Sequence, residues 1–404
     1  AAAISRESAT SRSRRGADMS FLRPEHEELK RITRAFTNKE VVPIADDLDR
    51  DEAEIPAPLL QKMAEMGFFG LLVPKDYGGL GLDALSLCVV TEELSRGWLS
   101  VGSVIARNVL CGHILYKAGT EAQKRRFLPG MADGALQSAS AGTEPEAGSD
   151  AANIKTVARR KNGHYVLNGS KMFCTFANQA HVLFTYTRTS TEQKHGGISL
   201  LLVEKEPGEQ FQPPQLTGNR IRTVGYHGMN TYALFFDALE VPAENLVGGV
   251  EGRGFKQLMH GYEVARIQFA FRCIGLVQAA YEAAVAYAQQ RVQFGKAIAN
   301  FQAVRFKLAD MATEIEAARQ LGYLAAEKFD RGERADLEAG MAKLFAAEVA
   351  HRHCWNALQI HGGYGYTREY PVNRYWRDSG LLPIGEGTSE IQREIIARRI
   401  LGER

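Results

Sequence analysis

Near its C-terminal end the chain reads LPIGEGTSEIQREII, residues 382 to 396, where one carboxylate, Glu386, is held between Gly385 and Gly387 at the mouth of a predicted helix. Glycine on both sides lets the backbone come close to whatever it faces. The spacing therefore sets acid–base work by a single carboxylate against a plain solvated acid in a turn. Four other stretches mix Gly, Thr and carboxylates: SAGTEPEAGSD (140–150), KMFCT (171–175), RVQFG (291–295) and QIHGGYGY (359–366). Each alone reads as a turn. Their joint occurrence, in this order, carries the weight.

Several common chemistries are missing. No segment fits the G-x-G-x-x-G of a nicotinamide dinucleotide fold, and there is no GxxxxGK[ST], GxSxG or HExxH. The five cysteines, Cys88, Cys111, Cys174, Cys273 and Cys354, form no CxxC pair, and their number is odd. They read as buried small hydrophobes in a reducing compartment, and no metal site is expected. The balance of 49 Lys+Arg against 47 Asp+Glu gives a net charge of +2, so no global field favours nucleic acid or an anionic membrane. With no apolar run of the roughly 18 residues that a membrane span needs, the chain is expected to be soluble.

The 404 residues are enough for two or three packed layers or domains. From Phe21 to about 130 the pattern is helical: Leu29, Ile32 and Phe36 share one face, and Leu59, Leu60, Met63 and Met66 another, opened by Pro56 and Pro58 and closed by Gly67. Around 131 the period changes to short β-type runs, TVARRKNGHYVLNGSKMF, HVLFTYTRT, GISLLLVEKE and YALFFDALEVP, with turns expected at Asn162-Gly163 and Asn168-Gly169. This predicts a mostly antiparallel β unit. Helices return after VPAENLVGG, with stripes at Val304, Leu308, Met311, Ile315 and Ala318, then at Met341, Leu344, Phe345 and Val349. Two helical sets packed together around an inserted β domain are expected, an α+β fold.

Residues 1–18, AAAISRESATSRSRRGAD, are rich in Ala, Ser and Arg. They read as an extension rather than a mitochondrial transit segment, because Glu7 and Asp18 interrupt the basic character. A bacterial cytoplasmic location is the first expectation and the mitochondrial matrix the second.

Taken together, TEPEAGSD, RVQFGKAIANFQAVRFKLADMAT, QIHGGYGYTREYPVNRYWRD and GEGTSEIQR resemble the acyl-CoA dehydrogenase family of flavoproteins over nearly the whole chain, from about Phe21 to Arg404. The resemblance implies an N-terminal helical domain (19–135), a middle β domain (136–247) and a C-terminal four-helix bundle (248–404). It also implies α,β-desaturation of an acyl-CoA thioester, with the α proton taken by a base and the β hydrogen passing as hydride to FAD.

Glu386 matches the family's catalytic glutamate, and Gly387 lies beside it against the substrate. Some members carry the base instead just before a helical Arg; here that place reads GYEVARIQF, with Ala265 before Arg266, and Ala cannot be a base. Glu263, two residues away, points to a different helix face. For the flavin, the resemblance implies contacts from Ser140, Gly142, Thr143, Ser149, Phe173 and Thr175. Ser140 stands where many relatives have Tyr, and Phe173 where Trp is more usual. Arg291, Gln293, Phe294 and Gln302 match contacts to FAD bound mainly by a neighbouring subunit, Gln359, Gly362 and Gly363 a pyrophosphate contact, and Thr388, Ser389 and Glu390 nucleotide contacts. Ser389 and Gln392 also form a capping-box pattern. Ser149, Arg266 and Arg398 match CoA contacts.

The resemblance further implies an electron-transferring flavoprotein as acceptor and a homotetramer. An acyl-CoA oxidase, an enoyl-CoA reductase or a non-catalytic scaffold on the same fold are the alternatives. In the expected acyl pocket, Gly102 and Ala106 would admit a bulky or branched chain, while Arg96 or Arg107 could meet a carboxylated tail. Exposure is the ordinary reading of both arginines.

Overall fold

The computed structural model describes residues 21–190 and 195–402; the expected extension 1–18 lies outside them. Helix α1 (Pro24–Phe36) runs through one π turn (Thr37–Val41) into α2 (Val42–Arg50), followed by α3 (Ala57–Glu65), α4 (Ala84–Gly97), α5 (Leu99–Ala118) and α6 (Glu121–Ala132). The punctuation of α3 is as the sequence reads: Pro56 precedes the first turn, and Gly67, at φ 74°, closes the helix. There the amide of Gly67 donates to the Ala64 carbonyl (2.8 Å) and that of Phe68 to Met63 (3.1 Å).

Seven strands follow: β1 (Ser138–Ala141), β2 (Val157–Lys161), β3 (His164–Thr175), β4 (Val182–Arg188), β5 (Ile198–Glu204), β6 (Leu216–Ile221) and β7 (Thr231–Pro242). They make one sheet in the order β1-β4-β2-β3-β7-β6, with β5 on the other edge of β4. Most pairs are antiparallel, but β1 runs parallel to β4, Ser140 lying opposite Phe184. Asn162 (φ 49°) and Gly163 (φ 81°) form the expected hairpin turn. Asn168-Gly169 does not turn the chain. It is a bulge inside β3, where the register to β7 slips between Leu167 and Gly169 and the Asn168 side chain accepts from the amide of Ala238. Strand β6, LTGNRI, escaped the sequence reading because apolar side chains stand only at its two ends, which gives no alternation.

The second helical set is α7 (Gly254–Gln290), a short hairpin of β8 (Val292–Gln293) and β9 (Lys296–Ala297), α8 (Gln302–Asp330), α9 (Asp336–His361), α10 (Val372–Ser379) and α11 (Ser389–Ile400). One continuous core joins both sets, running from Val41 and Met63 through Leu94, Ile267 and Ile274 to Met311 and Ala350. Of the stripe expected on α9, Val349 is buried, Met341 and Leu344 are half-buried and Phe345 is exposed, while the buried face also carries Ala339, Ala342, Ala346, Ala347 and Ala350. Small side chains there let α9 approach α7 closely. Helices α5 and α7 are long and apolar enough to cross a membrane by length and average composition alone, and both are mostly buried inside the protein.

Gly102 is a second correction. A Cβ there would lie 1.8 Å from the Ser95 Oγ and 2.9 Å from the Ser95 amide nitrogen, so its smallness serves the close packing of α5 on α4 and not an acyl pocket. Its carbonyl also accepts from Gln268 on α7 (3.0 Å). In an open helix Gly→Ala stabilises by up to about 1 kcal/mol. Gly102→Ala is expected to destabilise instead, by about 1–3 kcal/mol. A urea midpoint equal to or above that of the parent protein would show that α4 and α5 yield.

Candidate active site

The chain leaves α10 at Ser379 and reaches α11 through a loop whose last residues take left-handed backbone, Glu386 at φ 56° and Gly387 at φ 91°. That conformation costs a non-glycine residue about 1 kcal/mol or more and persists only where neighbours impose it. Two side chains do so. Lys343, fully buried on α9, donates to the carbonyls of Leu382 (3.1 Å) and Gly387 (2.7 Å). Gln392, one turn into α11, donates to the carbonyls of Glu386 and Gly387 (3.3 Å each). A Cβ on Gly387 would come within 2.7 Å of the Gln392 amide nitrogen, so glycine is required there; Gly385 meets only ordinary contacts. The N-cap of α11 is Thr388, whose hydroxyl accepts from the amide of Ile391, rather than Ser389. Gln392 is thus engaged with the loop instead of completing a capping box. Burial pushes the Lys343 ammonium down to about 8, against the opposing pull of Cys273 and Glu386.

The Glu386 side chain is 14% exposed and meets two arginines at the same oxygen: Arg272 on α7 at 3.3 Å and Arg107 on α5 at 3.7 Å. Arg107 is therefore not the exposed residue the sequence suggested. Arg96 sits elsewhere, held by Glu93 (3.2 Å) and Glu282 (3.4 Å). Arg272 also donates to the Ser103 hydroxyl (3.2 Å), and its guanidinium lies 4.2 Å from the Phe269 ring centre. Sequence reasoning missed Arg272, although it is the lone charge in the apolar run 267–281. Arg266, one and a half turns earlier, is buried over the Tyr262 ring (5.2 Å), and burial depresses its pKa. Ala265 is buried in the cluster that joins α5, α7 and the sheet. Burial raises the pKa of half-buried Glu263, whose charged neighbours are Asp336, Arg334 and Arg266.

On the sheet side a buried ion pair fixes the two Thr-bearing stretches. Lys171, fully buried in β3, donates to Glu144 (2.8 Å) and to the Gly142 carbonyl (3.1 Å). The Glu144 carboxylate in turn accepts from the amide of Thr156 (2.9 Å). The amide of Met172 donates to the Thr143 carbonyl (2.8 Å), so 140–143 and 171–175 lie side by side. Ser140, Gly142, Thr143 and Thr175 are half-buried, and Ser149 is exposed. Thr175 meets the Thr231 hydroxyl at 3.1 Å. Phe173 takes φ 57° and turns its ring outward, 61% exposed.

The remaining positions lie on the outer surface of the second helical set. Arg291, Gln293 and Phe294 sit on or beside the β8–β9 hairpin, Phe294 being 94% exposed, and Gln302 opens α8 in the open. The Arg291 guanidinium lies 5.6 Å from the Tyr364 ring centre, which brings the hairpin beside the turn after α9. Gln359, in the last turn of α9, and Gly362 and Gly363 just after it are exposed, and a Cβ on either glycine would meet nothing within 4 Å. Thr388, Ser389 and the exposed Glu390 line an open pocket of about 480 Å³ with His351, Arg352 and Pro383. Arg398 faces solvent on α11 and is bonded to Glu394 (2.6 Å), apart from the arginine cluster. Among the described residues no group of three or more His, Cys, Asp or Glu side chains could hold a metal ion.

Three family models match the chain in succession: the acyl-CoA dehydrogenase N-terminal domain over residues 23–135, the middle domain over 139–239 and the C-terminal domain over 252–401. The chain is 45% identical over 382 residues to a (2S)-methylsuccinyl-CoA dehydrogenase of Cereibacter sphaeroides, covering 93% of this chain and 70% of that protein. It is 40% identical over 383 residues to a 3-(aryl)acrylate reductase of Clostridium sporogenes, covering 94% and 100%. It also superposes with a TM-score of 0.91, at 38% identity, on a chain of the structure of the electron transferring flavoprotein of Acidaminococcus fermentans, described in connection with flavin-based electron bifurcation, covering 95% of this chain and 99% of that one.

The Lys343 clamp makes a local prediction. Lys343→Met should speed amide hydrogen exchange at residues 384–388 while α7 and α9 keep their protection. Global stability should change by less than about 2 kcal/mol, because removing a buried cation offsets the lost bonds. Unchanged exchange in that loop would sink the clamp.

Proposed function

The chain belongs to the acyl-CoA dehydrogenase family and is an FAD-dependent oxidoreductase acting on CH–CH bonds; from that premise we propose that it desaturates an acyl-CoA thioester between Cα and Cβ, with Glu386 as the base. The observation that carries this reading is the half-buried Glu386 carboxylate, held by a left-handed loop where α5, α7 and α9 converge.

A C–H beside a thioester is only weakly acidic, so its removal needs a base in a dry site and a donor at the developing enolate oxygen. Glu386 takes the α proton, and its own backbone N–H polarises the thioester carbonyl. FAD, when bound, supplies the acceptor for the β hydride, and the ester leaves as the α,β-unsaturated thioester.

The residues present fit such a group. The exposed Phe173 ring beside half-buried Thr143 and Thr175 offers an aromatic wall with hydroxyl and amide donors. The open space over Gly362 and Gly363 lets backbone N–H groups reach an anionic phosphate. The Arg291–Phe294 hairpin, beside that turn, and Gln302 are exposed on the outer surface and belong against FAD held mainly by a second copy. That supports a homotetramer, as do the exposed Phe294, Phe306, Trp355 and Tyr366. Arg266 is the CoA contact this reading retains; Arg398, already bonded to Glu394, is the weaker one. The relative described with an electron transferring flavoprotein supports such a protein as electron acceptor.

The relative named as an acrylate reductase supports the reverse direction as a second reading. The same residues serve it, with protonated Glu386 giving its proton to Cα.

Glu386→Gln keeps size and removes the basic oxygen pair. The purified variant should stay yellow, while anaerobic flavin bleaching by acyl-CoA slows by about 10³-fold or more. Full activity would end the base assignment. Aerobic turnover without an added acceptor should give no peroxide; its appearance would instead make the protein an oxidase.

A further inference from the structure

Arg107 and Arg272 lie in the most apolar stretches of the two helices that flank Glu386. Their neighbours Val109, Phe271, Cys273 and Ile274 are buried, and their own side chains are 14% and 3% exposed. Burying a guanidinium is costly unless anions and acceptors satisfy it. Here the supply falls short. Both arginines aim at one oxygen of one carboxylate, at 3.7 and 3.3 Å, longer than the roughly 2.7–2.9 Å of a charge-assisted bond. The Nε–H of each is buried without an acceptor among the described residues. Arg272 gains the Ser103 hydroxyl and the face of the Phe269 ring besides, and Arg107 the Tyr226 hydroxyl. Lys343 and Arg266 add positive field at the same place, and the acids facing Arg266 from its far side are Glu263 and Asp336. The site therefore holds an uncompensated positive charge beside its base.

We propose that the acyl group oxidised here ends in a carboxylate, a short dicarboxylic acid carried as its mono-CoA ester, bound by Arg107 and Arg272 with Ser103. The proposal rests on the reading of Glu386 as the base. A base oxygen sits about 3–3.5 Å from the carbon it deprotonates, and the guanidiniums lie at a similar distance beyond it. An anion they bind at about 2.8 Å is thus within about 10 Å of Cα, which sets the short chain. A hydrocarbon chain would leave both guanidiniums buried beneath it, so the site discriminates against neutral esters as well as for anionic ones.

The test uses the FAD-loaded protein and compares anaerobic flavin bleaching by succinyl-CoA and glutaryl-CoA with butyryl-CoA, pentanoyl-CoA and 2-methylbutanoyl-CoA. A dicarboxylic ester should exceed its neutral counterpart at least 100-fold in kcat/KM. In Arg107→Gln and Arg272→Gln that preference should collapse to within about threefold, a change that mere loosening of the fold would not produce. Neutral esters reacting as well as dicarboxylic ones would overturn the proposal, and so would a preference that survives both substitutions. If no ester bleaches the flavin, the desaturase reading has failed, and calorimetric binding of glutaryl-CoA against pentanoyl-CoA then decides the carboxylate site alone. Equal affinity would overturn it, and at least tenfold tighter binding of glutaryl-CoA, lost in Arg272→Gln, would support it.

Discussion

The site depends on one loop being held in a backbone that it would not choose. Glu386 is not glycine, yet it stands at φ 56°, and Gly387 beside it at φ 91°. Free, such a loop would relax and carry the carboxylate away. Lys343 and Gln392 prevent this by binding the carbonyls of residues 382, 386 and 387 from two different helices. The clamp is a buried cation, so it requires the carbonyls as much as they require it. That mutual need ties the geometry of the base to the packing of α9 and α11, and through α9 to the core shared by both helical sets.

A second buried charge performs the same task on the sheet side. Lys171 and Glu144 are far apart in sequence, but their pairing fixes the strand carrying Phe173 and Thr175 against the turn carrying Gly142 and Thr143. Two lysines thus organise the two halves of the site, each by satisfying backbone carbonyls that would otherwise be buried unpaired. Small residues do the complementary work: the alanine face of α9 and Gly102 on α5 let helices approach until these polar contacts can close.

The arginines around Glu386 give the site its electrostatic character. One carboxylate facing two buried guanidiniums is not a balanced structural ion pair. It leaves the Nε–H of both guanidiniums without an acceptor among the described residues. Positive charge in that quantity, buried beside a base, sets which ligands can enter before any shape is considered.

Much was legible in the sequence because it was local. Helical periodicity, the Pro56–Pro58 opening, the Gly67 close, the Asn162-Gly163 hairpin and the order helices, strands, helices are all written in neighbouring residues. The long stretches around Thr143, Arg291, Gln359 and Glu386 carried the family, which the domain matches bear out. What the sequence left undecided concerns contacts between distant residues. Asn168-Gly169 has the letters of a turn and becomes a bulge because β7 pairs across it. Phe345 has the spacing of a core residue, yet α7 packs on the alanines beside it. Arg107 reads as a surface charge and Arg272 as an oddity in an apolar run, and only the crossing of α5 and α7 at the 382–387 loop brings both to Glu386. By itself the sequence determined the fold, the family and the carboxylate, since each is encoded within a short window. Tertiary structure alone decided what surrounds that carboxylate, because burial and charge balance are properties of helices meeting in space.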